Sequence, residues 1–363
     1  MTTKKKVLIT GAQGYIGSVL VPYLRDHGFD CVGYDTGFFA DCLLYAADDS
    51  PVIRKDMRDF SPADLNGIEA VVHLAAISND PLKNFDPGSV YGPVRQYSRT
   101  LAERCKAAGV RLIFASSCSV YGQGQSEMLD ESSPTDPRIP YSLNKLQIEA
   151  DLKEISDQTW APIILRFATL FGPSPRMRFD IVVNMLTAMA FTTKKIILNS
   201  DGLAWRPVVH IQDVCQAIRH AIDFEGALAR PLVLNVGKTS ENYTVRQLAE
   251  LIQSAVPGSA IEYLAEQKTP LAGAELIADR KIQNATDSRT YRVSFERIKE
   301  VFSGFECEWP VRRGVTQLLE VFTRLPLTAQ QFHDINFYRL QKIESLQSGG
   351  RLTGELRWAG GKV

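Results

Sequence analysis

Tyr141 and Lys145 stand four residues apart in the run Tyr-Ser-Leu-Asn-Lys, a spacing that puts a phenol and an ammonium on one helix face. A phenol is a poor base at neutral pH because its ordinary pKa is about 10. A cation beside it favours the phenolate and brings that pKa down. The serine-rich run Ser116-Ser117-Cys118-Ser119 could supply a hydroxyl, Ser117, to hold a reacting oxygen against the phenol. Alone, the pair also suits an exposed helix start that does no chemistry. The neighbouring elements decide between these readings.

Those elements begin at Val7-Leu8-Ile9, a short apolar run that reads as a buried strand. Gly11, Gly14 and Gly17 follow at spacing three, with Tyr15 and Ile16 between them. Gly11 allows a tight turn, Gly14 leaves room for a diphosphate against the backbone, and Gly17 lets the next helix pack close to the sheet. The N–H groups at that helix start, with the positive end of its dipole, form an anion site. The next strand ends in an acid, Cys31-Val32-Gly33-Tyr34-Asp35, so the loop reads as a dinucleotide site. A bound nicotinamide ring would add a second positive charge in favour of the Tyr141 phenolate.

Further strands are expected at 52–54, 70–74, 112–115 and 163–167, with helical spacing at 94–108 and from Tyr141. His73-Leu74-Ala75-Ala76 ends one of them in residues small enough for a flat ligand. Alternation at this spacing predicts an α/β fold, a doubly wound parallel sheet with its ligands beyond the carboxyl ends of the strands. Past residue 172 the alternation loosens. Helices are expected at 179–191, 214–222, 245–255 and 295–302, a strand at 195–198, and a return of 205–210 to the sheet. The reading is a Rossmann domain over 1–170 with a return segment at about 206–236, and a smaller interleaved substrate-binding lobe from 171–205 and 237–324. A helical extension, 325–363, contains one helix over 329–346 and is either an oligomer arm or a cap on the core. Nothing in it looks catalytic. His73 and His210 read as satisfied strand-end histidines, and Phe38-Phe39 as core or a lid beside the ligand.

The 363 residues balance 41 basic against 41 acidic side chains, which points to neither a nucleic-acid nor a membrane surface. The 6 cysteines are scattered without a Cys-x-x-Cys pair, so reduced thiols in a cytoplasm are expected, with no metal site. The apolar run after the N-terminal lysines is too short for a signal peptide or membrane span.

Taken together, Gly11-x-x-Gly14-x-x-Gly17, Asp35, Asp56-Met57, His73-Leu74-Ala75-Ala76, Ser116-Ser117-x-x-Val120-Tyr121-Gly122 and Tyr141-x-x-x-Lys145 resemble the extended short-chain dehydrogenase/reductase family. Within it the chain is most similar to the NAD-dependent nucleotide-sugar epimerases and dehydratases, from about residue 6 to 322. The resemblance implies that Tyr141 is the acid/base, Lys145 its pKa-lowering and ribose-binding partner, and Ser117 the substrate hydroxyl ligand. It also implies that Gly11, Gly14, Tyr15, Ile16, Gly17, Asp35, Asp56, Met57, Leu74, Ala75 and Ala76 hold NAD, with Asp35 on the adenosine ribose and Asp56 and Met57 beside the adenine. Arg206 would bind the diphosphate of a nucleotide sugar, and Arg289 is a second such arginine. A homodimer pairing the helices near 94–108 and 141–155 is implied as well.

The chain departs from that family in places. Pro93-Val94 replaces an asparagine, and Thr169 stands where many relatives place an asparagine near the substrate phosphates. Cys118 and Ser119 occupy the slots that hold an aspartate and a glutamate in the 4,6-dehydratases. Neither can replace that acid–base pair, and Cys118 reads as a packed thiol. The expected activity is NAD-dependent epimerisation of a nucleotide sugar at C4. The alternatives are a one-way reductase of a keto-sugar nucleotide, or a dinucleotide-binding or RNA-associated member of the fold that does no chemistry.

Overall fold

Short apolar runs buried on both faces belong in the centre of a sheet covered by helices on each side. The computed structural model, which describes residues 4–78, 85–124, 128–263 and 289–360, is built this way. Its strands are Lys6–Thr10 (β1), Asp30–Asp35 (β2), Val52–Arg54 (β3), Ala70–His73 (β4), Arg111–Ser117 (β5), Ile163–Phe167 (β6), Thr169–Phe171 (β7), Lys195–Leu198 (β8), Trp205–His210 (β9), Leu232–Val236 (β10), Asn242–Thr244 (β11) and Ala260–Tyr263 (β12). Its helices are Gly17–Asp26 (α1), Pro87–Ala108 (α2), Pro140–Ile155 (α3), Val182–Thr193 (α4), Ile211–Asp223 (α5), Val245–Ala255 (α6), Glu296–Val301 (α7), Val311–Arg324 (α8), Ala329–Phe332 (α9) and Arg339–Ser348 (α10).

Seven parallel strands run in the order β10-β6-β5-β4-β1-β2-β3. Strand order reverses at β1, between β2 and β4, so a ligand crevice opens beyond the carboxyl ends there. Alternation along β1 feeds both helical layers. Val7 and Ile9 join the core that holds Leu20 and Leu24 of α1, while Leu8 joins Leu101 of α2 and Ile148 of α3. Each such aliphatic, once fully buried, contributes about 1.5–3 kcal/mol.

Three local expectations are corrected. Helix α2 starts at Pro87, not near residue 94. The Asp86 carboxylate caps it by accepting from Ser89 N at 2.8 Å, and Pro87 sits where a missing N–H costs nothing. Pro93 then forgoes only the bond to the Ser89 carbonyl, in the exposed first turn. Strand β9 does not rejoin the large sheet; it lies between β7 and β11 in a three-stranded sheet. The return is made by α5, packed on α1, and by β10, paired with β6.

The third correction is the single helix over 329–346. It is broken into α9, a 3-10 turn and α10, because the Asp334 carboxylate accepts from Asn336 N at 2.9 Å and competes with helix continuation. Phe332 and Phe337 dock on Phe179, with centroids 5.4 and 5.3 Å away. The extension is a cap on its own chain: Ile343, Leu346, Leu352 and Leu356 form one cluster with Val90 and Tyr91 of α2, against which Phe38 and Phe39 pack. All six cysteines are buried free thiols. Among the described residues no helix is long and apolar enough to cross a membrane, and no His/Cys/Asp/Glu group could hold a metal.

Candidate active site

The turn after β1 has no room for side chains. Gly11 has φ +74° and donates its N–H to the Tyr34 carbonyl at 2.8 Å; a Cβ there would lie 2.9 Å from Ala75 N. At Gly17 a Cβ would come within 2.3 Å of the Gly11 oxygen, and at Gly14 within 3.1 Å of the same atom. The side chain of Tyr15 leaves the loop, donating to the Gly172 carbonyl at 2.7 Å, so the loop presents backbone at that point. Asp35 closes the turn: Oδ2 accepts from Gln13 N at 2.9 Å and Oδ1 from Gly37 N at 2.7 Å. Burial pushes its carboxyl pKa up, against the pull of those N–H groups and of Arg54 and Arg176. A carboxylate has about four acceptor positions, so Asp35 keeps capacity for ribose hydroxyls.

The loop opens on a cleft of about 1440 Å³. That exceeds the roughly 300–1,000 Å³ of a site for one drug-sized ligand, and it suits a dinucleotide with a second molecule beside it. Gly11, Gly14, Tyr15, Ile16, Gly17 and Asp35 line one end, with Leu74, Ala75 and Ala76 from the end of β4 and Asp56 and Met57 after β3. The Asp56 carboxylate is forked by Arg58, at 2.9 Å from Nε and 2.5 Å from Nη2, which holds its pKa below the usual range despite burial. The bare loop, the helix N-terminus behind it and the buried acid at the end of β2 fit a dinucleotide with free ribose hydroxyls.

Ser117 ends β5, while Tyr141 and Lys145 lie on the first turns of α3; all three line the same cleft. Lys145 is only 4% exposed. Its ammonium donates to the Ala115 carbonyl at 2.6 Å and lies 4.7 Å from the Phe114 ring centroid and 5.8 Å from that of Tyr141. Burial brings the Lys145 pKa down to about 8, opposed by the charge of Glu149. The ammonium therefore survives at neutral pH beside the phenol. Ser117 Oγ accepts from Ser119 N at 3.2 Å, which fixes it at the strand end. Ser119 also faces the cleft and takes a bond from Ser142 Oγ at 2.8 Å. Cys118 packs away: its thiol donates to the Arg166 carbonyl at 3.2 Å, and burial pushes its pKa well up.

Thr169, Arg206 and Arg289 line the same cleft. Arg206 Nη1 donates to the Trp205 carbonyl at 2.8 Å and to the Arg289 carbonyl at 2.5 Å, so the two arginines share one rim. His73 is satisfied between Thr10 Oγ1 at 2.7 Å and Ser98 Oγ at 2.9 Å. His210 caps α5 by accepting from Gln212 N at 3.3 Å and stacks on Trp309. Neither histidine lines the cleft.

Some residues at the site escaped the sequence reading. Arg178 lines the cleft, forked on Asp180, and is coupled electrostatically to Tyr141, so a second cation favours the phenolate. Its arginine-rich surroundings, Arg176-Met177-Arg178, were a visible signal. Glu149, one turn beyond Lys145, pairs in the interior with Arg166 at 2.6 Å. An arginine inside the apolar strand Ile-Ile-Leu-Arg-Phe demanded such a partner. The extension also reaches the cleft, through Tyr338, Arg339, Glu344, Glu355 and Leu356. Arg339 is buried over Phe39, with its carbon 4.3 Å from the ring centroid.

Residues 7–237 match the model of the NAD-dependent epimerase/dehydratase family. The UDP-glucose 4-epimerase of Mycolicibacterium smegmatis is 30% identical over 342 residues, covering 87% of this chain and 98% of that protein. The solved MoeE5 in complex with UDP-glucuronic acid and NAD is 26% identical, with TM-score 0.69 over 89% of this chain and 100% of the other. A solved UDP-glucose 4-epimerase of Thermotoga maritima, at 22% identity, shares the fold with TM-score 0.72 over 89% of this chain and 100% of its own. The matched span carries the glycine turn, Asp35, Ser117, Tyr141 and Lys145 on one cleft, and the chain belongs to the NAD-dependent epimerase/dehydratase family.

Proposed function

We propose that this enzyme inverts C4 of a nucleotide-diphosphate sugar. The observation that carries the reading is that Ser117, Tyr141 and Lys145 share a cleft with the glycine turn, while positions 118 and 119 hold a buried thiol and a hydroxyl. NAD, bound by the glycine turn, Asp35 and Lys145, supplies a reversible two-electron oxidation of the sugar carbon. Tyr141 takes the proton of the C4 hydroxyl and later returns it; Lys145 and Arg178 stabilise the phenolate meanwhile. Ser117 holds the same sugar oxygen. Arg206, Arg289 and Thr169 hold the diphosphate, so the sugar can turn over while its nucleotide stays anchored. Elimination of water needs an acid and a base after the catalytic hydroxyl, and Cys118 and Ser119 provide neither.

The test is a panel of nucleotide sugars with products separated by chromatography and mass, while the reduced-nicotinamide absorbance is followed. Interconversion of 4-epimers without net cofactor consumption is expected. Stoichiometric consumption of reduced cofactor identifies the reductase instead, and a 4-keto-6-deoxy product overturns the exclusion of dehydration. The enzyme is also proposed to be a homodimer through α2 and α3. Their neighbouring faces are braced within one chain by Arg95–Asp151 at 2.7 Å and Arg99–Glu154 at 2.9 Å, which presents a stiff, charged surface. Light scattering at micromolar concentration should give twice the chain mass; a monomer refutes the dimer.

A further inference from the structure

The chain folds back on itself near its end. Thr353 N donates to the Arg357 carbonyl at 2.8 Å, Ala359 N to the Arg351 carbonyl at 2.9 Å, and Leu352 bridges Trp358. This hairpin spans the ends of two strands of the large sheet. On one side, Trp358 Nε1 donates to the Thr36 carbonyl at 2.6 Å, just past β2, and its ring lies 5.5 Å from that of Phe38. On the other, Arg58 donates to the Glu355 carbonyl at 2.8 Å and the Leu356 carbonyl at 3.0 Å while it forks Asp56. Arg357 pairs with Asp59 at 2.8 Å.

Leu356, at the turn of the hairpin, has φ +55°. A left-handed backbone is strained for any residue with a Cβ and persists only where its surroundings enforce it. Here the strained residue aims its carbonyl at Arg58, and Leu356 lines the cleft. In a dinucleotide fold the glycine turn takes the diphosphate and the acid ending the second strand takes the ribose. The adenine then lies farther out, past β2, against the residues that follow β2 and β3. That is the part of the cleft the hairpin covers.

We propose that Leu356 is an adenine-contact residue of the NAD site and that the 351–359 hairpin, locked to Thr36 and Arg58, keeps the cofactor from leaving between turnovers. The proposal rests on NAD use alone and not on the C4 reading, so either can fail without the other. Glycine at 356 accepts the same φ without strain and keeps the carbonyl bond, so Leu356→Gly removes only the apolar side chain. Holoenzyme diluted into excess labelled NAD should then exchange about tenfold faster, the loss expected when one apolar side chain leaves a ligand face. The protein freed in this way should bind AMP about tenfold more weakly and nicotinamide mononucleotide unchanged. Trp358→Phe keeps the ring, removes the Thr36 bond, and should also speed exchange. Native exchange in Leu356→Gly overturns the proposal, as does equal weakening of AMP and nicotinamide mononucleotide. If Leu356→Gly does not fold, Trp358→Phe is held to the same two criteria.

Discussion

The proposed task of Tyr141 is proton transfer, and Tyr141→Phe separates it from packing. The phenyl ring keeps the helix face, so NAD retention should stay native. Turnover should fall about 10²–10⁴-fold, the usual worth of a general acid–base group. Near-native turnover would move the proton transfer elsewhere. Lys145 makes the opposite point, because its burial costs stability. Its folded pKa of about 8 lies below the ordinary lysine value, so between those pH values the unfolded chain holds the extra proton and stability rises with pH. At neutral pH each unit of that depression costs about 1.4 kcal/mol. Lys145→Met relieves the cost but leaves the Ala115 carbonyl without its bond, a penalty of about 1–3 kcal/mol. The variant should therefore melt close to the native enzyme while losing turnover and NAD affinity; a large drop in melting temperature would make the lysine structural. That these residues share one cleft was legible in the sequence, because the proposed roles demand one residue type at a fixed spacing along one element. Arg339 was not, since it reaches the cleft from a segment far from those spacings, and Arg178 showed only through its neighbour Arg176.

At the scale of elements, α3 is fixed to the sheet by a buried ion pair. Glu149 takes three bonds from the Nε and Nη2 of Arg166 and one from Ser116 Oγ at 2.5 Å, and Arg166 Nη1 also donates to Tyr121 Oη at 3.0 Å. Removing one partner strands a buried charge, which costs about 3–5 kcal/mol, whereas replacing both with apolar groups is often nearly neutral. Glu149→Leu should thus lower the denaturant midpoint sharply, and Glu149→Leu with Arg166→Met should recover most of the loss. If the double variant is as unstable as the sum of its parts, the pair is not coupled as the geometry indicates. Strand β6 was legible from its apolar run, but the depth of this pair was not, because the partners sit 17 residues apart on different layers. The misplaced start of α2 has a comparable cause. The helical spacing reads locally from about residue 94, and only the cap at Asp86 shows that the helix is by then nearly two turns old. In the extension, local apolar spacing suggested one helix, while docking of Phe332 and Phe337 on Phe179 favoured three short pieces.

For the whole molecule, the buried titratable groups set how folding answers to acid. His73 and His210 are both sealed in the interior, and burial brings each pKa down to about 3. In the unfolded chain a histidine titrates near 6.5, so between about pH 6.5 and 3 the unfolded state binds two more protons than the folded one. Stability must then fall as pH falls through that window. Asp213 works the other way. Burial holds its pKa up at about 6 against the pull of the Glu308 and Trp309 N–H groups, so below that pH the folded state carries the extra proton and one histidine is offset. These three groups alone contribute a loss of about 4 kcal/mol from pH 7 to pH 4, at about 1.4 kcal/mol per unit and proton, against the roughly 5–15 kcal/mol that hold a typical protein. Denaturant unfolding at pH 7, 5.5 and 4.5 should show the decline beginning below pH 6.5. His210→Phe, which keeps a ring against Trp309 and removes one proton site, should make it shallower. A flat profile over that range would mean that the two histidines become charged within the folded protein, and that the seals around β4 and β9 open far more readily than their burial indicates.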